Sequence, residues 1–298
     1  MLINDKQTNT TAFLIWVSNK VKFMEKALPW FVALFLVSAS GCGKEATTYF
    51  NSGLAKFNKG DLDGAMVDYN EAIKLKPDFS EAYYYRAFAQ EKKGHMDDAL
   101  ADFNKVIELN PKYFKTYAFR AVVKRVKGDL DGALADDNKA IELKSDFAGA
   151  YAARGLDKQF KGDLDGALVD SNKAIELNPD FAESYDTRGG VKLAKGDLDG
   201  ALADYNKAIE LNPDLSDAYY FRGGIKRNKG DLDGALADLN QAIEIEPDFA
   251  VAYFLRGVVK QTKSDLHGAQ ADFGKAIELN PKIRKLINAQ GYAAVQIK

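Results

Sequence analysis

The chain is poor in the side chains that do chemistry. His95 and His267 are its two histidines, each in a turn, and Cys42 is its one cysteine, so no set of zinc ligands can be assembled. Neither sign of charge dominates, with 41 Lys and Arg against 43 Asp and Glu for a formal net charge of -2, and a nucleic-acid-binding face has no basic footprint to stand on. The apolar run Ala27 to Val37 is too short to span a bilayer. Nothing reads as a strand, so there is no glycine-rich phosphate loop of the strand-to-helix kind. Asp-Leu-Asp-Gly recurs, but the carboxylate that would complete a calcium loop does not follow it, and helix capping explains those aspartates better. No cofactor, metal or catalytic group is expected, and the chain reads as a non-enzyme.

What is present is repetition. Lys-Gly-Asp-Leu-Asp-Gly-Ala or a close variant occurs seven times at a period of 34 residues, at Lys59, Lys93, Lys127, Lys161, Lys195, Lys229 and Lys263. Apolar residues recur at three and four spacing on both sides of each Gly-Asp turn, which predicts two helices per unit, A before the turn and B after it. In the second unit helix A is expected from about Glu81 to Lys93 and helix B from about Met96 to Leu109. The lysine of each turn suits the C-terminal end of helix A, and Asp129, Asp163, Asp197 and Asp231 suit the N-cap of helix B.

A Tyr opens each unit (Tyr49, Tyr83, Tyr117, Tyr151, Tyr185, Tyr219, Tyr253) and a small residue follows four positions later (Gly53, Ala87, Ala121, Gly155, Gly189, Gly223, Gly257). Pro77, Pro111, Pro179, Pro213, Pro247 and Pro281 close six of the seven units. With the period, this pattern resembles the tetratricopeptide-repeat family over Ala46 to about Ile283. The resemblance implies an all-α solenoid of seven helix-turn-helix repeats, with residues 284–298 as a C-terminal capping helix. Where the family usually carries an aromatic, four residues before the turn glycine, this chain has Lys56, Gln90, Lys124, Lys158, Lys192, Lys226 and Lys260.

An isoleucine column near the end of helix B (Ile73, Ile107, Ile141, Ile175, Ile209, Ile243, Ile277) is expected to be buried against the next pair. Arg and Asp recur sixteen residues apart: Arg86 with Asp102, Arg120 with Asp136, Arg154 with Asp170, Arg188 with Asp204, Arg222 with Asp238 and Arg256 with Asp272. In an antiparallel hairpin each pair is placed to form a half-buried ion pair that fixes register. The first unit has Ser52 opposite Asp68 instead.

Ahead of the repeats, the stretch from Met24 to Gly41 reads as a secretory leader, with charge at Glu25 and Lys26, the short apolar run, and small residues before Cys42. Ala39-Ser40-Gly41-Cys42 resembles a bacterial lipobox with Ala in place of the usual Leu. That resemblance implies a signal over residues 1–41, with Met24 as an alternative start, lipidation at Cys42 and a short linker over 42–45. Without residues 1–41 the chain loses Lys6, Lys20, Lys22, Lys26, Asp5 and Glu25, leaving 37 basic and 41 acidic residues. Gly43 after the cysteine points toward the outer membrane, facing the periplasm.

In the family, helix A lines the concave groove. The resemblance therefore implies partner contacts at Phe50, Leu54, Tyr84, Phe88, Phe119, Arg125, Phe160, Asp186, Tyr220, Phe221, Arg227 and Phe254. The alternative for each aromatic is packing between repeats. An aromatic groove with charges of both signs suits an extended peptide or a partner helix, and self-association stays open. The Lys and Asn pattern that clamps a C-terminal carboxylate in some relatives is absent.

The third and fourth repeats break the pattern together at Asp137, Ser145, Asp157 and Ser171. A hydrated polar seam or hinge is expected there. The alternative is an enzyme or sugar-binding site using Asp137 and Asp157.

Overall fold

The computed structural model describes residues 41–289, which contain fifteen α-helices and no strand. The leader segment up to residue 40, the alternative start at Met24 and the last part of the capping segment, 290–298, lie outside the described residues.

The described residues form two units. The N-terminal one holds α1 (Gly41–Asn58), α2 (Leu62–Leu75), α3 (Ser80–Lys92), α4 (Met96–Leu109), α5 (Phe114–Val126), α6 (Leu130–Leu143) and α7 (Ala148–Phe160). The C-terminal one holds α8 (Leu164–Leu177), α9 (Ala182–Ala194), α10 (Leu198–Leu211), α11 (Ser216–Asn228), α12 (Leu232–Ile245), α13 (Ala250–Thr262), α14 (Leu266–Leu279) and α15 (Ile283–Ala289). Odd-numbered helices are the A helices and even-numbered ones the B helices, in the α-solenoid class that the period predicts. The capping helix is present as α15, whose Ile283, Leu286 and Ile287 are buried in the C-terminal core. Cys42 stands in the first turn of α1.

Each A-to-B turn is fixed by two local devices. Gly60, Gly94, Gly128, Gly162, Gly196 and Gly230 have φ between +80° and +85°, the left-handed region that a side chain disfavours, while the seventh turn forces Ser264 to φ 67°. The N-cap aspartate then accepts a hydrogen bond from the backbone N–H three residues on. This occurs at Asp129, Asp163, Asp197 and Asp231 as expected, and also at Asp61 and Asp265. The glycine at that third position leaves room for the carboxylate, since a Cβ on Gly200 would collide with Asp197. The second repeat departs at both places together. His95 stands where the capping aspartate belongs, Asp98 replaces the glycine, and no side-chain cap forms.

The small residues of helix A are explained by the ring of helix B. A Cβ on Gly53 would lie 2.7 Å from the Tyr69 ring, and one on Gly257 would lie 2.7 Å from Phe273. Tyr69, Phe103, Tyr205, Leu239 and Phe273 fill this place and are fully buried. The isoleucine column is less covered than expected. Ile243 and Ile277 are buried, whereas Ile73, Ile107 and Ile141 sit at the edge of their clusters, because the residue before each, Ala72, Val106 or Ala140, takes the inner position.

The sixteen-residue Arg and Asp pairs form in every case where both members lie in one unit. Arg86, Arg120, Arg188, Arg222 and Arg256 each grip an aspartate with two parallel N–H donors, Nε at 2.7–2.9 Å and Nη2 at 2.6–2.7 Å. The fork geometry explains why arginine fills these positions. The third arm, Nη1, donates to an asparagine of the preceding repeat: Asn70, Asn104, Asn172, Asn206 and Asn240. Arg154 does the same to Asn138. The lysines that replace the family's aromatic reach the same aspartates, Lys124 to Asp136 and Lys192 to Asp204 at 2.7 Å. In the first repeat Lys56 pairs with Asp68 at 2.7 Å, and hydrogen bonds from Lys56 and Ser52 outweigh burial and hold that carboxyl below its ordinary value.

Candidate functional site

The candidate contacts divide into a half-buried set and a buried set. In the N-terminal unit Phe50, Leu54, Phe119 and Phe160 are half-buried, whereas Tyr84, Phe88 and Arg125 are 7%, 2% and 4% exposed. In the C-terminal unit Tyr220, Phe221, Arg227 and Phe254 are half-buried and Asp186 is buried. Tyr84 and Phe88 are packed among other rings, and Arg125 and Asp186 are buried in their units.

The buried and half-buried rings are continuous in the N-terminal unit. Phe50 lies 5.0 Å from Phe79 and 5.6 Å from Tyr85, and Tyr84 meets Phe88 edge-on at 4.8 Å. Phe88 in turn meets Phe119 edge-on at 4.7 Å. Edge-to-face pairs of this kind add to plain burial and hold the half-exposed rings in fixed orientations. Burial, with the nearby Tyr113 and Tyr85 hydroxyls, pushes the Tyr84 phenol well above its ordinary range. Tyr85 and Tyr113 belong to this surface and were not singled out from the sequence, although Tyr85 occupies the same repeat position as Phe119 and Phe221.

In the C-terminal unit Phe221 stacks on Tyr205 at 5.6 Å and meets Tyr220 at 5.0 Å. Burial pushes Tyr220 up to about 12, opposed by Arg227 and reinforced by Asp217. Burial followed by the Asp186 and Asp217 carboxylates drives Tyr205 well above its ordinary value. Asp217, Ser184, Ser216 and Thr187 are further buried polar groups here, with Ser216 Oγ donating to Glu246 at 2.9 Å. A polar residue in a mainly apolar column marks Ser184, Ser216 and Thr187, whereas Asp217 shares its column with Glu81, Lys115 and Glu183.

The polar side chains expected to line a hydrated seam are enclosed, apart from Ser145. Asp137 on α6 and Asp157 on α7 have no exposed surface, and Arg125 of α5 closes over both. Arg125 donates through Nε to Asp157 Oδ1 and through Nη2 to Asp157 Oδ2 at 3.4 Å, and the same Nη2 lies 3.7 Å from Asp137 Oδ2. A long cation has replaced the missing apolar contact. Ser171 of α8 is also buried, with its hydroxyl returned to the Ala167 carbonyl at 2.7 Å, whereas Ser145 is exposed and leaves no gap. Carboxylates enclosed in this way offer no approach to a substrate or sugar, and the enzymatic alternative has no site there.

Among the described residues, no group of three or more His, Cys, Asp or Glu is placed to hold a metal ion. No helix among them is long and apolar enough to cross a membrane.

Family models described as tetratricopeptide or TPR repeat match residues 53–94, 80–113, 189–225, 223–264 and 250–283. No curated protein matches. Among solved structures, a tetratricopeptide repeat protein from Parabacteroides merdae is 21% identical, covering 82% of this chain and 98% of its own, with a TM-score of 0.67. A thermophilic TPR protein of Thermus thermophilus is 26% identical over 60% of this chain and 98% of its own, with a TM-score of 0.51. A chain of the APC/C hetero-tetramer Cut9-Hcn1 is 15% identical over 92% of this chain and 52% of its own, with a TM-score of 0.70. The first and third likenesses are of fold alone.

Proposed function

The chain belongs to the tetratricopeptide-repeat family, and on that premise we propose a lipid-anchored scaffold that binds a peptide or partner helix along its A helices. A role in protein–protein interaction follows from the fold, and no catalytic family is among the matches. The observation that carries the finer reading is the set of half-exposed rings on A helices, Phe50 and Phe119 in one unit and Tyr220, Phe221 and Phe254 in the other. Each is held from behind by buried aromatics, so apolar contact is offered with little side-chain entropy left to lose on binding. Arg227 beside Tyr220 adds a charged group that can orient a polar ligand.

The anchor rests on sequence. A short apolar run followed by small residues and the lone Cys42 supports diacylation there, and with it an address in the cell envelope, at the periplasmic face of the outer membrane. Two experiments test the two halves separately. Pull-down from envelope extract should recover a partner with the wild type and lose it with Phe119→Ala/Phe221→Ser at unchanged helicity; equal recovery refutes the A-helix surface. Labelled palmitate should enter the wild type and not Cys42→Ser, and uptake by that variant refutes the anchor.

A further inference from the structure

The buried triad of Arg125, Asp137 and Asp157 has one cation for two carboxylates, with no exposed surface on either acid. The charged groups that face Asp137 in its unit are few. Arg125 reaches it from α5, Asp157 from α7, and Asp136 on its own helix is taken up by Arg120 and Lys124. Arg125 hydrogen-bonds Asp157 and stands 3.7 Å from Asp137, whose two oxygens have no hydrogen-bond donor. Ionised together, the two acids would leave one negative charge unmatched in an enclosed site, so one of them requires a proton.

We propose that Asp137 and Asp157 hold a single shared proton at neutral pH, and that with Arg125 they form a proton-operated latch joining α6 to α7. With the proton bound the triad is neutral, with one guanidinium, one carboxylate and one carboxylic acid. When the proton leaves to water, two like charges are left in an enclosed site with one counter-charge, and the α6–α7 contact is the one that must open to hydrate them. The latch does not depend on what the A helices bind.

Burial, and then the neighbouring Asp157, raises Asp137 well above the usual carboxylate range despite the opposing pull of Arg125, and burial likewise raises Asp157. The folded state therefore carries a proton that the unfolded chain has already released, through the window between the ordinary carboxylate value and the raised one. Stability in that window falls as pH rises. One extra bound proton corresponds to a tenfold loss in the folded-to-unfolded ratio per pH unit. Carboxylates held below their ordinary values, such as Asp68, act in the opposite direction and only at more acidic pH.

The test uses the full chain. Infrared or 13C-carboxyl spectra at neutral pH should show one protonated carboxyl in the wild type, absent from both Asp137→Asn and Asp157→Asn. Unfolding midpoints between pH 5 and 8 should fall with pH in the wild type more steeply than in Asp137→Asn. Only ionised carboxylates in the wild-type spectrum at pH 7, or an equal pH dependence in wild type and Asp137→Asn, would overturn the latch. The wild-type spectrum decides the matter even if both variants fold poorly.

Discussion

Replacing Asp204 by Asn keeps the shape of the side chain and removes its charge, and the surroundings set what that costs. Asp204 accepts from Arg188 Nε at 2.8 Å and Nη2 at 2.6 Å, and Lys192 Nζ lies 2.7 Å from the same carboxylate. The aspartate side chain is 5% exposed, and Arg188 and Lys192 are 21% and 23% exposed. Breaking a fully buried pair costs about 3–5 kcal/mol, chiefly for the charge left behind. Water reaches a fifth of each cation, and Arg188 keeps its bond to Asn172 at 2.8 Å, so solvent screening brings the cost below that range, to about 2–3 kcal/mol. With a urea slope of about 2 kcal/mol per molar, the transition that reports the C-terminal unit should move down by about 1 M. Repeat arrays need not unfold in one step, so amide exchange in α9 and α10 should be followed alongside the midpoint. Arg188→Met combined with Asp204→Leu should recover most of the loss, because no orphaned charge remains. If Asp204→Asn shifts the transition no more than Glu210→Gln in the exposed Lys207–Glu210 pair, the ion pair does not govern register and the reasoning fails.

Ser264→Gly should stabilise the last turn by about 0.5–1 kcal/mol, since the serine is held at φ 67° where its six counterparts are glycine; an unchanged urea midpoint would contradict this. Asp197→Ala should cost about 1 kcal/mol by removing the acceptor of the Gly200 N–H at 2.9 Å. Faster amide exchange should then appear in the first turn of α10 before it appears elsewhere, and uniform exchange along the unit would argue against a local cap.

The helix pairs, their turns and the Arg–Asp pairs were legible because each is a column in a 34-residue register, and a column states its environment seven times. The asparagine arm has the same sixteen-residue offset as the aspartate arm, but it runs backwards into the preceding repeat. The alternation of Asn70, Arg86 and Asp102 carries it, though a hairpin picture confined to one repeat cannot show it. The same holds for Lys195 and Asp165, thirty residues apart and 2.5 Å in space, where the aspartate hydrogen-bonded to the lysine is held below its ordinary value. The triad was misread for a different reason. Periodicity shows that Asp137 and Asp157 occupy buried columns, but a single arginine outside those columns has a reach that register does not encode. Arg125 stands among the groove contacts in the sequence reading because it lies on helix A, but its length lets it turn inward and it is buried.

Every Arg–Asn arm is the same joint, so a repeat lifted out or copied by recombination within either unit would leave Asn facing Arg at the new junction as before. Such an array can change its length without redesign. The junction between the third and fourth repeats is keyed differently. Arg125, Asp137 and Asp157 are needed together, and a deletion or insertion between them would strand acid without base or base without acid. That junction fixes an origin within an otherwise interchangeable series, so that the order of the repeats around it, and with it the order of the half-exposed rings that α1, α3, α5 and α7 present, cannot drift as freely as their number.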